Sequence, residues 1–135
     1  MFDQFKNQAQ EKAAELTGAA QEKIDEVIDE FNKFLPLAEE LGLSLDSFHI
    51  EAGILPEINA TLIGSIDNIN NETVERIIAE NESNTLLVAA LNAVLMAKGF
   101  HEKLEGVYIE ILRDLVIDMK LGIPPSISCK FKKSV

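Results

Sequence analysis

The stretch SFHIEAGILPEINATLIG, residues 47–64, alternates in hydropathy, with Phe48, Ile50, Ala52, Ile54, Ile58, Ala60 and Leu62 all on one parity. Period two marks a strand with one buried face. Drawn out straight, the stretch would run about 55 Å, and Pro56 near its middle has no N–H for a ladder. A hairpin is therefore predicted. Because the parity survives the turn, the loop must hold an odd number of residues, such as Leu55-Pro56-Glu57 with Ile54 opposite Ile58.

The end of the chain repeats this pattern. Ile117, Met119, Leu121, Ile123, Ile127, Cys129 and Phe131 are in phase, interrupted by Pro124 and Pro125. GILPEINATL at 53–62 and GIPPSISCKF at 122–131 lie 69 positions apart, and that offset aligns Gly53 with Gly122, Ile54 with Ile123, Pro56 with Pro125 and Ile58 with Ile127. The prolines preset the turn, and each glycine relieves crowding or twists the strand before it. The same offset pairs Phe31 with Phe100 and Leu35 with Leu104, on the helix ahead of each hairpin.

The chain thus reads as an α+β protein of two helix/β-hairpin units, an internal duplication. Their strands form one antiparallel sheet packed on a central buried helix, and a long amphipathic helix leads the chain. A single domain covers 1–135: a helix and hairpin at 1–64, an Asn- and Asp-rich linker at 65–72, and helices and a hairpin at 73–135.

Working outward, Phe2, Phe5, Ala9, Ala13, Leu16, Ala20, Ile24, Val27, Phe31, Leu35, Ala38 and Leu41 follow one another in steps of three or four, a single helical stripe. Pro36 ends or kinks this helix, and Gly42 stops the remainder. A helix over residues 2–34 would be about 50 Å long, against roughly 36 Å for a compact chain of this length. Its first turns are expected to overhang. Phe2, Phe5, Ala9, Ala13, Leu16 and Ala20 are then the candidate interaction surface, covered by the same helix of a second subunit or by lipid. The alternative is a break at Gly18, with the first part folded back.

A short helix is predicted over 72–81, with Val74, Ile77 and Ile78 as its apolar face. The central helix is predicted over 84–105. From Leu86 to Ala97 it is apolar nearly all round, which implies contact on several sides and a hydrogen-bond partner for Asn92. Beyond Gly106, residues 107–112 (VYIEIL) suit a strand by propensity and a kinked helix by the spacing of Phe100, Leu104, Tyr108 and Ile111. The repeat favours the helix.

The net charge is −11, and it is unevenly spread: residues 1–70 carry four basic and fourteen acidic side chains, residues 71–135 eight and nine. Such a field argues against nucleic acid and against a polybasic membrane patch. Lys130, Lys132 and Lys133 read as charge protection of a terminal strand. One cysteine and the lack of an apolar leader indicate a reducing cytoplasm. The apolar run at 86–97 is too short to span a bilayer, so stable membrane insertion is not expected.

Chemical motifs are absent: there is no phosphate-cradling Gly-rich loop, Cys-x-x-Cys, His-Glu-x-x-His or Gly-x-Ser-x-Gly. His49 beside Glu51 and His101 one turn from Glu105 read as surface pairs, and Cys129 as a small buried hydrophobe. The acidic run Glu22, Asp25, Glu26, Asp29 and Glu30 reads as a solvated helix face. The Asp67–Glu72 loop has Ile69 where a calcium ligand is needed.

No catalytic, cofactor or metal site is therefore expected. The leading reading is a non-catalytic cytoplasmic interaction or assembly protein that self-associates, most simply as a dimer. A carrier with an apolar small molecule held among Ile50, Ile54, Leu62, Met119, Leu121 and Phe131 is the alternative, and an enzyme the third reading.

Overall fold

A computed structural model describes residues 18–51, 57–104, 112–122 and 125–134; these residues form an α+β fold with three α-helices and a four-stranded antiparallel sheet. Helix α1 spans Gly18–Glu40. Ile24, Val27, Ile28, Phe31, Phe34, Leu35 and Ala38 recur on its buried side, the spacing that a helix turns to one face. Pro36 does not end it. The proline lies exposed within the helix, while Phe34, Leu35 and Ala38 around it are almost fully buried and offset the lost backbone bond.

The stop comes at Gly42, whose φ of 86° suits glycine. Its amide donates to the Glu39 carbonyl (3.0 Å), and the Leu43 amide donates to that of Ala38 (2.9 Å). This paired closure satisfies the last carbonyls of α1. It also turns the chain at once into β1.

Strands β1 (Ser44–Glu51), β2 (Glu57–Ser65), β3 (Asp114–Lys120) and β4 (Ser126–Lys132) lie in sequence order across the sheet. Their inward parity carries Phe48, Ile50, Ile58, Ala60, Leu62, Leu115, Ile117, Met119, Ile127, Cys129 and Phe131, which pack with the helices into one core. A bulge between Leu45 and Ser47 interrupts the free edge of β1, as edge strands commonly require.

The predicted turn is corrected in register: Ile58 stands opposite Ile50, not Ile54, and Glu51 opposite Glu57. The connection is thus 52–56, longer than three residues but still odd. The second hairpin has the same register at the 69-residue offset. Met119 faces Ile127 as Ile50 faces Ile58, and Lys120 faces Ser126 as Glu51 faces Glu57. Gly53 and Ile54 lie outside the described residues, as do Ile123 and residues 107–111. Gly122 does not relieve crowding: a Cβ there would meet nothing within 4 Å.

Between the hairpins, the stretch expected as a linker is held to the core by Ile66 and Ile69, both nearly fully buried. Helix α2 (Asn71–Glu80) is capped by Asn70, whose Oδ1 accepts from the Thr73 amide (3.1 Å). Arg76 joins α2 to α1 through Glu40 (2.5 Å).

Helix α3 (Thr85–Lys103) opens on Asn84, a cap that also crosses to another element. The Asn84 Oδ1 accepts from the Leu87 amide (3.0 Å), and its Nδ2 donates to the Glu30 carbonyl of α1 (3.0 Å). The Glu30 carboxylate accepts from the Thr85 amide (3.0 Å), so a negative charge sits at the positive end of α3. Asn84→Ala removes both the cap and the bond that crosses to α1. A loss of about 2 kcal/mol is expected in urea denaturation; a loss below about 0.5 kcal/mol, the scale of a neutral surface change, would show that the cap and the crossing bond contribute little.

Candidate functional site

Helix α3 is apolar on more sides than a two-layer fold can cover. Leu86, Leu87, Ala90, Leu91 and Val94 face the sheet and the other helices at 1% exposure or less. On the flank beside β4 stand Met96, Phe100 and Leu104, exposed by 65%, 57% and 44%. They are the large exposed apolar side chains among the described residues. Earlier on the same flank come Thr85, Ala89 and Ala93, which with Leu86, Pro125 and Ile127 line a hollow of about 430 Å³. The Lys103 ammonium stands 5.9 Å from the centre of the Phe100 ring, near enough for a cation–π attraction. Knobs and a recess thus lie end to end on one surface.

This arrangement overturns one expectation and sets apart two residues that the repeat pairs. Asn92 is exposed and needs no protein partner. Phe100 and Leu104 do not repeat the environments of Phe31 and Leu35, which are 1% and 6% exposed. The residues expected to form the interaction surface, Phe2, Phe5, Ala9, Ala13 and Leu16, lie outside the described residues, and so does the side chain of Ala20. Sequence reasoning missed the α3 flank although the signal was present: a helix apolar all round in a two-layer chain must leave some of that surface outside.

The histidines are not brought together. His49 is exposed on the outer face of the sheet. His101, expected at the surface, is 2% exposed: the last turn of α3 packs beneath β4, and the imidazole lies 4.9 Å from the Phe131 ring. Its Nε2 is 3.0 Å from the Leu112 carbonyl. A carbonyl only accepts, so Nε2 carries the proton. His101 is accordingly a joint between α3 and the entry to β3.

Cys129 sits half-buried on β4 opposite Ile117. Burial, and secondarily the Asp118 charge, push its thiol above the usual cysteine value, which disfavours the nucleophilic thiolate. Among the described residues, no group of three His, Cys, Asp or Glu is placed to hold a metal.

The outer sheet face carries the apolar pair Ile63 and Val116, and its polar groups are internally paired. Thr61 Oγ1 donates to Asp118 (2.8 Å), and Lys120 meets Glu57 at 2.8 Å. The hydrogen bond and charge of Lys120 hold the Glu57 carboxyl below its ordinary value. Arg113 does the same for Asp67. Lys98 donates to the Ile69 carbonyl, tying the stretch ahead of α2 to α3. These groups are occupied in holding elements together. No protein family matches the chain, and no curated protein or solved structure is similar to it.

Proposed function

We propose that this chain is a non-catalytic interaction or assembly protein working through the exposed flank of α3. The observation that carries this reading is the grouping of Met96, Phe100 and Leu104 on one face beside an apolar hollow. Soluble proteins seldom leave such side chains contiguous without a partner for them. The amphipathic N-terminal stretch, with Phe2, Phe5, Ala9, Ala13, Leu16 and Ala20 in one stripe, belongs to the proposal as a second apolar element, continuing α1 as a long helix. A cytoplasmic site suits a chain with a single cysteine. No helix among the described residues is long and apolar enough to cross a membrane.

Internal duplication is part of the same proposal, supported by the matching register of the two hairpins. The helices before them diverge, and they diverge at Phe100 and Leu104, the positions that form the flank. On this reading one copy of the helix kept its aromatic in the core, and the other turned it outward for binding. The carrier reading receives less support. Leu62, Met119 and Leu121, named as cavity wall, are 0%, 1% and 2% exposed, and a ligand-sized space beside them would leave accessible surface on each.

A photo-crosslinking amino acid at Phe100 tests the proposal in cells that make the protein. Discrete protein adducts are expected from position 100 and none from the exposed Lys33 on α1. Failure to crosslink from Met96, Phe100 and Leu104 alike would reject it.

A further inference from the structure

The flank of α3 is complementary to itself. Along it, with the exposed Asn92 alongside, run Thr85, Ala89, the half-buried Ala93, Met96, Phe100 and Leu104, separated by four, four, three, four and four residues. That spacing reads the same in both directions. The sizes do not: the first three side chains are small and the last three large. Turned end over end about a point between Ala93 and Met96, the row matches its own spacing and sets Ala93 against Met96, Ala89 against Phe100 and Thr85 against Leu104. Each pairing puts a large side chain against a small one.

We propose that the partner of this flank is a second copy of the chain, with the two α3 helices antiparallel about a twofold axis in that register. The inference rests on the reading of the flank as a binding surface and names its occupant. A twofold contact uses one patch twice, so the patch must carry both the projection and the recess. Here Met96, Phe100 and Leu104 project, and Thr85, Ala89 and Ala93 border the hollow next to Pro125 and Ile127. Phe100 of the second copy enters beside Ala89, and Met96 beside Ala93.

Charge favours the same direction. Glu82 lies in the turn just ahead of α3, three residues before Thr85, and Lys103 one residue short of Leu104, both exposed. Antiparallel helices bring Glu82 of each copy toward Lys103 of the other, while parallel helices would set like charges together. The flank also lies in the part of the chain nearest neutrality, eight basic against nine acidic side chains over residues 71–135, where residues 1–70 have four against fourteen.

Sedimentation equilibrium on the full chain decides the matter. Wild type is expected at twice 14.9 kDa in the micromolar range, and Phe100→Glu as a monomer with unchanged circular dichroism. Ala93→Met creates a large-on-large contact and Met96→Ala an empty one, so each alone weakens dimerisation about tenfold or more. The double variant Ala93→Met/Met96→Ala exchanges the two sizes and restores it. Likewise Lys103→Glu weakens the dimer and Glu82→Lys in the same chain recovers it.

A wild-type monomer at tens of micromolar overturns the proposal, as does a dimer indifferent to Phe100→Glu or a size exchange that does not compensate. A monomer that begins to dimerise once Phe2 and Phe5 are replaced by Glu assigns the flank to the chain's own N-terminal segment and overturns it too. If purified protein is monomeric while position 100 still crosslinks in cells, the flank serves a different protein. Loss of both results removes the binding surface itself.

Discussion

Gly64→Ala is expected to cost at least the upper end of the roughly 1–3 kcal/mol that overpacking exacts. A Cβ at Gly64 would stand 2.6 Å from the Gly42 carbonyl oxygen and 2.9 Å from Leu43 Cδ2. The side chain could shift, but the oxygen is part of the backbone turn that closes α1 and begins β1. Gly42, with its positive φ, has little freedom to move aside. The two glycines are therefore required by one close approach: Gly42 to make the turn, Gly64 to let β2 lie against it. Gly122→Ala is the internal control, with open space around the new methyl, and should change stability by no more than about 0.5 kcal/mol. Urea denaturation of the two variants side by side checks the contrast, and equal losses would show that the approach at Gly64 is not what sets the cost.

The second large effect separates Ile58 from Ile127, the residues that the sequence repeat treats as equivalents. Ile58→Ala removes a side chain that is 2% exposed, on the inner strand β2 next to the first hairpin turn, and a loss of about 2–5 kcal/mol is expected. Ile127 is half-buried at the rim, on the edge strand, where it lines the hollow beside α3. With less apolar area to lose, Ile127→Ala should cost no more than about 1.5 kcal/mol. If the flank binds a second copy, the loss at Ile127 grows with protein concentration, because folding and association are then linked, while that at Ile58 does not. Matching losses at every concentration would contradict this assignment of inner and rim positions.

These residues also show how far the sequence could be read. Alternation placed Phe48, Ile50, Ile58, Ala60, Leu62, Ile117 and Met119 on the inner face, because strand parity is a local property and survives whatever the loop does. Register was beyond reach: which residue faces Ile58 depends on where the turn closes, and the difference between Ile54 and Ile50 leaves no mark on hydropathy. Pro36 does not end its helix, because its penalty is local while the burial of Phe34, Leu35 and Ala38 that offsets it is tertiary. His101 was assigned to the surface because its covering ring, Phe131, comes from a strand 30 positions later. The α3 flank was hidden in the same way. An unbroken apolar run says that a helix has more than one sticky side, but which side the sheet takes, and which it leaves open, is decided by packing.

The central ladder of the sheet sets a kinetic consequence. Each hairpin pairs residues close in sequence, so its two strands can find one another in about 1–10 μs. The β2–β3 ladder instead joins Ser65 to Asp114 and Asn59 to Lys120, and it closes only after the intervening helices have been gathered in. Until that step, two half-sheets present their inner faces to solvent. Refolding speed should therefore respond to substitutions along β2 and β3, at Leu62 and Ile117, far more than to changes at the hairpin ends.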